Sequence, residues 1–205
     1  MKPGKIFVSA ILAGASIAFG GVAFLSVENK ILGALFFTVG LFTVCTFGLH
    51  LFTGKVCYVF EQDKAYALSL PLIWLGNLTG TAVVAAMVRL SRIAGICERA
   101  VTMCRIKTDD SLLSLFILGV LCNIFIYIAV EGFKNNPHEI GKYLALFFGV
   151  MVFILCGYEH CVADMFYFWA AGIWSVKAVL CLLTVTLGNI IGGISFPLIR
   201  NWLKK

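Results

Sequence analysis

The feature that most restricts the fold of this chain is a series of apolar runs, each long enough to cross a lipid bilayer. A helix of about 20 apolar residues spans the hydrocarbon core. Six runs of this kind cover residues 6–27, 31–60, 66–88, 111–131, 141–172 and 174–199. Because a helix satisfies its own backbone hydrogen bonds in lipid, the runs predict an all-α integral membrane protein with six transmembrane helices.

The composition agrees with a membrane protein and argues against a nucleic-acid-binding one. Of the 205 residues, 61% are hydrophobic and 13% are charged, whereas charged residues make up about 25% of an average soluble domain. The formal net charge is +6, but nothing in its distribution resembles a nucleic-acid stripe. We interpret the basic residues as membrane-flanking charges or as attraction for anions. Residues 1–205 are predicted to form a single transmembrane domain.

The distribution of lysine and arginine predicts the orientation. Six spans place both termini on one side, which holds nine of the 16 basic residues, and the other side holds seven. The nine are Lys2, Lys5, Lys55, Lys64, Lys134, Lys142, Arg200, Lys204 and Lys205. Since cytoplasmic loops carry an excess of lysine and arginine, we predict a multi-pass protein of the cytoplasmic (inner) cell membrane with both termini in the cytoplasm.

Two short motifs occur twice in the same order. Leu-Gly-Asn-Leu-Thr-Gly at 75–80 is matched by Leu-Gly-Asn-Ile-Ile-Gly at 187–192, and Phe-Gly-Leu-His-Leu at 47–51 is answered by Cys-Gly-Tyr-Glu-His at 156–160. The glycine pairs within the first motif allow neighbouring helices to approach closely. The two copies of each motif are separated by nearly the same number of residues, which indicates an internal duplication.

Each half of the duplication contains three spans. Three is an odd number, so the halves, about 1–95 and 108–205, must insert in opposite orientations, as an inverted three-plus-three repeat with a functional site near the midplane. The second and fifth runs are longer than one span requires and carry glycine and polar residues at their middle. We therefore expect the second and fifth helices to be broken, the second between Gly48 and Gly54.

The fifth run also contains three ionisable residues, Glu159, His160 and Asp164. Such residues at membrane depth are costly and commonly mark a substrate or proton pathway. A buried histidine bonded only to the surrounding structure is the alternative. A membrane redox or metal-binding enzyme that uses His160 with Cys156 and Cys161 is a second, competing function. Adjacent helical residues point in different directions, and no further ligands with suitable spacing follow, so we predict neither a metal nor a cofactor.

Most of the eight cysteines lie within apolar runs, where they act as small packing residues. Cys97 and Cys104 share a polar segment. A disulfide between them is possible if that segment faces an oxidising compartment, but we favour free thiols.

The motifs at 47–54, 157–160, 75–80 and 187–192, taken together, resemble the formate/nitrite transporter family over nearly the whole chain. The resemblance implies an aquaporin-like six-helix protomer in the lipid bilayer, with one pore in each subunit of a homopentamer. It also implies passage of small monovalent anions such as formate, nitrite or hydrosulfide, and therefore a channel or transporter rather than an enzyme.

The resemblance further assigns roles by position. His160 matches the central pore histidine, and the polar or charged residues grouped with it are Thr53, Lys107, Asn123 and Glu159. The residues that resemble apolar constrictions are Leu51, Phe52, Phe37, Leu41, Ile126 and Phe153, which without the resemblance would be ordinary core residues.

Three assignments remain open at this point. Glu159 could contact substrate, or it could pair with backbone amides or with Lys107. His50 could belong to the pore or could cap a half helix. Asp164 stands where asparagine is common in the family, so the resemblance does not define selectivity. We expect passage to be proton-linked through His160.

Overall fold

The computed structural model describes residues 2–203, and all regular structure within this range is helical. This confirms the predicted all-α class. Lys204 and Lys205, which enter the orientation count, lie outside the described residues. The helices are α1 (Pro3–Ser26), α2 (Lys30–Thr46), α3 (Phe52–Val56), α4 (Lys64–Arg89), α5 (Cys97–Asp109), α6 (Leu112–Asn135), α7 (Glu139–Leu155), α8 (Cys161–Ala171) and α9 (Val176–Leu203). A 3₁₀ turn at Ala94–Ile96 precedes α5.

Four of these helices, α1, α4, α6 and α9, are long and apolar enough to cross a membrane, counted over the described residues. They coincide with the first, third, fourth and sixth apolar runs. The second and fifth runs are each divided into two helices, α2 with α3 and α7 with α8. The expected interruption of these two runs is therefore present.

Glycine ends the first helix of each divided run. Gly48 and Gly157 adopt left-handed backbone conformations with φ of +64° and +72°, which glycine reaches without steric cost. The following residues donate their N–H groups back across the turn, Leu49 to the Val44 carbonyl oxygen and Tyr158 to that of Phe153, both at 2.9 Å. These are Schellman C-caps, which satisfy carbonyls that the helix end would leave free.

The interruption of the second run is shorter than the sequence predicted. Gly54 lies inside α3, and Leu51 is the N-cap residue of that helix. Gly54 therefore does not border the break. A Cβ atom there would be 3.6 Å from a Val130 methyl group, which is ordinary packing distance.

Both connecting segments run from the surface into the interior. Phe47 is 73% exposed and Leu51 is 1% exposed. The same change occurs from Cys156, which is exposed, to His160, which is 2% exposed. The short helices α3 and α8 consequently begin inside the protein, where their N-terminal amides are available to polar groups.

A buried asparagine holds the first connecting segment. The Asn77 side-chain amide in α4 donates to the carbonyl oxygens of Ala10, at 2.8 Å, and His50, at 3.0 Å. Its Oδ1 accepts the N–H of Phe52 at 2.8 Å. Asn77 therefore ties α1, the interruption and the start of α3 together.

Asn189 makes the same set of contacts around the second segment. Its side-chain amide donates to the carbonyl oxygens of Gly119, at 2.8 Å, and Glu159, at 2.9 Å. Its Oδ1 accepts the N–H of Cys161 at 2.9 Å. The asparagine of each Leu-Gly-Asn motif thus satisfies one carbonyl and one N–H of the helix interruption that it faces. Each also bonds to a carbonyl of a neighbouring uninterrupted helix, Asn77 to α1 and Asn189 to α6.

The glycines of the same motifs permit close helix contact, as the sequence predicted. A Cβ at Gly80 would lie 2.0 Å from the Ile11 carbonyl oxygen in α1, and one at Gly192 would lie 2.1 Å from that of Val120 in α6. Neither position has space for a side chain, so any larger residue would push the helices apart.

The polar segment between the third and fourth runs contains a helix that the sequence analysis missed. One face of α5 is buried through Ala100, Cys104 and Lys107. Burial raises the pKa of the Cys104 thiol to about 12, which makes it a poor nucleophile. Within residues 2–203 every cysteine is a free thiol, including Cys97 and Cys104, in agreement with the favoured prediction.

Candidate functional site

The centre of the candidate site is a hydrogen bond between the two short helices. Thr53 near the start of α3 is fully buried, and its Oγ1 lies 2.9 Å from Nε2 of His160, the N-cap residue of α8. The other ring nitrogen, Nδ1, accepts the backbone N–H of Ala163 at 3.1 Å. Both nitrogens of His160 are therefore engaged.

These contacts determine where the imidazole hydrogen lies. Nδ1 accepts a hydrogen bond and so carries no hydrogen, and the neutral ring must hold its hydrogen on Nε2. His160 then donates to Thr53 Oγ1, and the Thr53 hydroxyl hydrogen remains free to donate to a third group. A proton on Nδ1 would break the cap and place positive charge at the positive end of α8.

Asn123 supports Thr53 from α6. Its side-chain amide donates to the carbonyl oxygens of Thr53, at 3.1 Å, and Asn189, at 2.7 Å. Asn123 therefore acts on the site through Thr53, because it holds the backbone carbonyl of the residue whose hydroxyl contacts the His160 ring. Its Oδ1 is buried without a hydrogen-bond partner among the described residues.

Lys107 of α5 reaches inward to a pair of carboxylates. Its ammonium group contacts the Glu159 carboxylate and lies 3.0 Å from Asp164 Oδ1. Burial alone would lower the pKa of Lys107, but Asp164 and Glu159 together raise it above its usual value. Lys107 is thus a charged and paired group, and the pairing left open for Glu159 is the one with Lys107.

Two cavities approach the Thr53–His160 pair in the described part of the chain. The first measures about 590 Å³, and its lining includes His160, Phe37 and Phe153. It is also lined by Lys107, Glu159 and Asp164, which we call the Lys107 cluster. The second measures about 260 Å³, and its lining includes Leu41, Leu51, Lys55, Val130 and Lys134. Phe37 and Leu41 are one helical turn apart in α2, so the two cavities meet the same helix at successive levels.

The six residues predicted as constrictions occupy different places. Phe153 stacks on the His160 ring with centroids 5.7 Å apart, and Phe37 contacts Phe153 edge-on at 6.1 Å. Leu41 and Leu51 line the second cavity. Phe52 and Ile126 are buried in the core and are not among the residues that line these two cavities.

Sequence analysis left the role of His50 open and did not identify its partner or two lysines near the site. His50 hydrogen-bonds to the Ser9 hydroxyl through both Nδ1, at 2.7 Å, and its backbone N–H, at 3.1 Å, and this contact anchors the segment to α1. Lys55 and Lys134 line the second cavity. In the sequence analysis, Lys55 and Lys134 entered only the count of basic residues that predicts the orientation.

The geometry offers little support for the metal-binding alternative. Both His160 nitrogens are hydrogen-bonded, Cys156 is exposed and Cys161 is buried. Across residues 2–203, no group of three histidine, cysteine or acidic side chains is arranged to hold a metal ion.

Comparison with known proteins identifies the fold. Among solved structures, a pentameric formate channel with formate bound superposes with a TM-score of 0.82 at 26% identity, covering 98% of this chain and 96% of that one. An ion channel of the FNT family superposes with a TM-score of 0.86 at 25% identity, covering 100% and 91%.

Sequence comparison gives the same result. The nitrite transporter NirC of Salmonella typhimurium is 30% identical over 98% of this chain and 83% of its own length. The formate channel FocA of Haemophilus influenzae is 27% identical over 100% of this chain and 88% of its own length. The profile of the formate/nitrite transporter family matches residues 1–203. These relatives are channels and transporters, not enzymes, and this transmembrane chain belongs to the formate/nitrite transporter family.

Proposed function

We propose that this protein is a channel for the small monovalent anions of weak acids, with formate and nitrite as its first substrates and hydrosulfide as a further one. The observation that carries the proposal is the Thr53–His160 hydrogen bond, buried between two cavities. NirC is a nitrite transporter and FocA is a formate channel. Both anions are small, so a single hydroxyl donor can contact either of them.

The donor is Thr53. Because His160 Nε2–H donates to Thr53 Oγ1, the hydroxyl hydrogen is free to turn toward an anion. A substrate oxygen accepts a hydrogen bond from such a donor whether the acid is ionised or neutral, whereas a cation would meet the positive N-terminal end of α8. His160 therefore acts by orienting and polarising Thr53.

Passage as the neutral acid reduces the cost of crossing the apolar section. An anion without partners between Phe153 and Leu51 would lose hydration worth many kcal/mol. Protonating a carboxylate with a pKa near 3.5 at pH 7 costs about 5 kcal/mol, at about 1.36 kcal/mol per unit. We therefore propose that transport is proton-linked, and that the acid crosses at the level of His160 without charge.

The proposed architecture is six spans in an inverted three-plus-three repeat, with both termini in the cytoplasm. It is supported by the matching contacts of Asn77 and Asn189 around the two interruptions and by the lysine and arginine distribution. A homopentamer with one pore in each subunit is supported by the similarity to the pentameric formate channel.

Flux measurements on purified protein in liposomes test the proposal. The protein is expected to release formate and nitrite down their gradients. Thr53→Val, which keeps the shape but removes the hydroxyl, should lower the flux of every substrate by about 10- to 100-fold, since a lost buried partner costs about 1–3 kcal/mol.

The matched control is Thr79→Val. Thr79 is exposed and its hydroxyl bonds only to the Leu75 carbonyl oxygen of its own helix, at 2.9 Å, so flux should stay within about twofold of the wild type. Normal flux in Thr53→Val would remove Thr53 from the substrate path.

Leu51 offers a separate test of size selection. It is 1% exposed and lines the second cavity, so Leu51→Ala should widen the path beside α3. Flux of lactate is expected to increase more than flux of formate, by about threefold or more in their ratio, corresponding to a barrier change of about 0.7 kcal/mol. An equal change for both anions would show that Leu51 does not select by size.

A further inference from the structure

The Lys107 cluster has an excess of negative charge. Lys107 carries one positive charge, and its two partners, Glu159 and Asp164, can carry one negative charge each. Both carboxylates belong to residues that are less than a tenth exposed. A buried charge without a partner is strongly destabilising, and two carboxylates that share one site oppose each other's ionisation.

The two carboxylate oxygens of Asp164 differ in their surroundings, and only one of them faces a positive charge. Oδ1 faces Lys107, but Oδ2 is buried and has no hydrogen-bond partner within the described residues. Asp164 is 2% exposed, and it lines the first cavity together with Glu159 and His160. An ionised carboxylate oxygen would not be stable there without a donor, whereas a protonated one could itself donate to water or substrate in the cavity.

The other titratable groups around Asp164 do not supply this proton near neutral pH. Besides Lys107 and Glu159, they are Cys104 of α5, Cys122 of α6, Cys161 and Tyr167 of α8, and Cys181 of α9. Thiols and phenols ordinarily lose their protons only above neutrality. His160 has both nitrogens engaged.

We propose that Asp164 and Glu159 share one exchangeable proton, and that this proton is the one transferred to the transported anion in the first cavity. The inference rests on the proposed function for its transport step. In that step the O–H bond of the shared carboxylic acid breaks, its electron pair stays on the carboxylate, and a new bond to hydrogen forms on the anion, O–H on formate or nitrite and S–H on hydrosulfide. The cluster then regains a proton from a hydronium ion in the cavity, and the neutral acid releases its proton to water on the far side, which becomes hydronium.

Infrared spectroscopy of the purified protein tests proton storage without any transport. In maltoside detergent, which has no ester carbonyl, the wild type should show the C=O stretch of a protonated carboxylic acid at neutral pH. Asp164→Asn leaves one carboxylate for Lys107 and should remove this band. Glu159→Gln leaves Asp164 paired with Lys107 and should also remove the band. Either variant is sufficient for the test if the other folds poorly.

The matched control is Asp109→Asn. The Asp109 side chain is 80% exposed at the end of α5, and its substitution should leave the band in place. Absence of the band in the wild type, or its persistence in both Asp164→Asn and Glu159→Gln, would overturn the proposal.

Liposome flux adds the functional measurement. Formate flux through Asp164→Asn should fall by about tenfold at neutral pH and approach the wild type at acidic pH, where the substrate is already protonated. An unchanged pH profile in a variant that has lost the band would overturn the transfer step. If the wild type transports no anion but shows the band, the proposed function fails while proton storage stands.

Discussion

Replacing His160 by phenylalanine is expected to reduce anion flux by about 100-fold or more at every pH while the protein remains folded. The ring fills similar space and can still stack on Phe153, but it cannot donate to Thr53 Oγ1 or accept the Ala163 N–H. Two buried hydrogen bonds are lost, at about 1–3 kcal/mol each. The measurement is formate release from liposomes, accompanied by the oligomeric mass in detergent.

The control for this variant is His138→Phe. His138 is exposed at the start of α7, where its side chain caps no backbone group. Flux through His138→Phe should match the wild type. If His160→Phe kept its flux and pH dependence, His160 would be a structural residue, and the proposal that it orients the Thr53 donor would be wrong.

Asn189→Leu is expected to lower the stability of the fold strongly. Leucine is close to asparagine in size, but it leaves the Glu159 carbonyl and the Cys161 N–H without partners, and the Gly119 carbonyl keeps only its bond within α6. At about 1–3 kcal/mol for each of the two unpaired groups, the total of about 2–6 kcal/mol is a large part of the stability of many domains. Size-exclusion chromatography and thermal unfolding in detergent should show aggregation or a large fall in Tm.

Asn201→Leu provides the comparison, since Asn201 is exposed and bonds only to Glu61, at 2.9 Å. Its Tm should change by no more than a few degrees. A Tm for Asn189→Leu equal to that of Asn201→Leu would show that water or lipid satisfies the connecting segment, and that Asn189 is not its support.

Local sequence patterns were sufficient for the four long helices and for the interruptions of the other two apolar runs. Apolar length alone predicts the four long helices, because spanning a bilayer sets a minimum for each run. Gly48 and Gly157 predict the interruptions because few other residues adopt the left-handed backbone of a C-cap. The spacing of Gly76 with Gly80 likewise predicts close contact with a neighbouring helix.

The same patterns were insufficient where burial depends on a distant partner. The segment that holds Lys107 is polar and was treated as a loop, yet it forms α5 and buries one face. The Leu-Gly-Asn motifs were explained by their glycines, and the role of Asn77 and Asn189 emerged only from the carbonyl and N–H groups that surround them.

Sequence by itself determined the membrane class, the positions of the four long helices and the residues that resemble the family's site. Tertiary structure alone decided which side chains meet. Thr53 and His160 are 107 residues apart and Lys107 and Glu159 are 52 apart, so no local periodicity relates them. Their contacts arise because the short helices α3 and α8 begin inside the protein, where unpaired polar groups are unstable and each must find a donor or acceptor from another part of the chain.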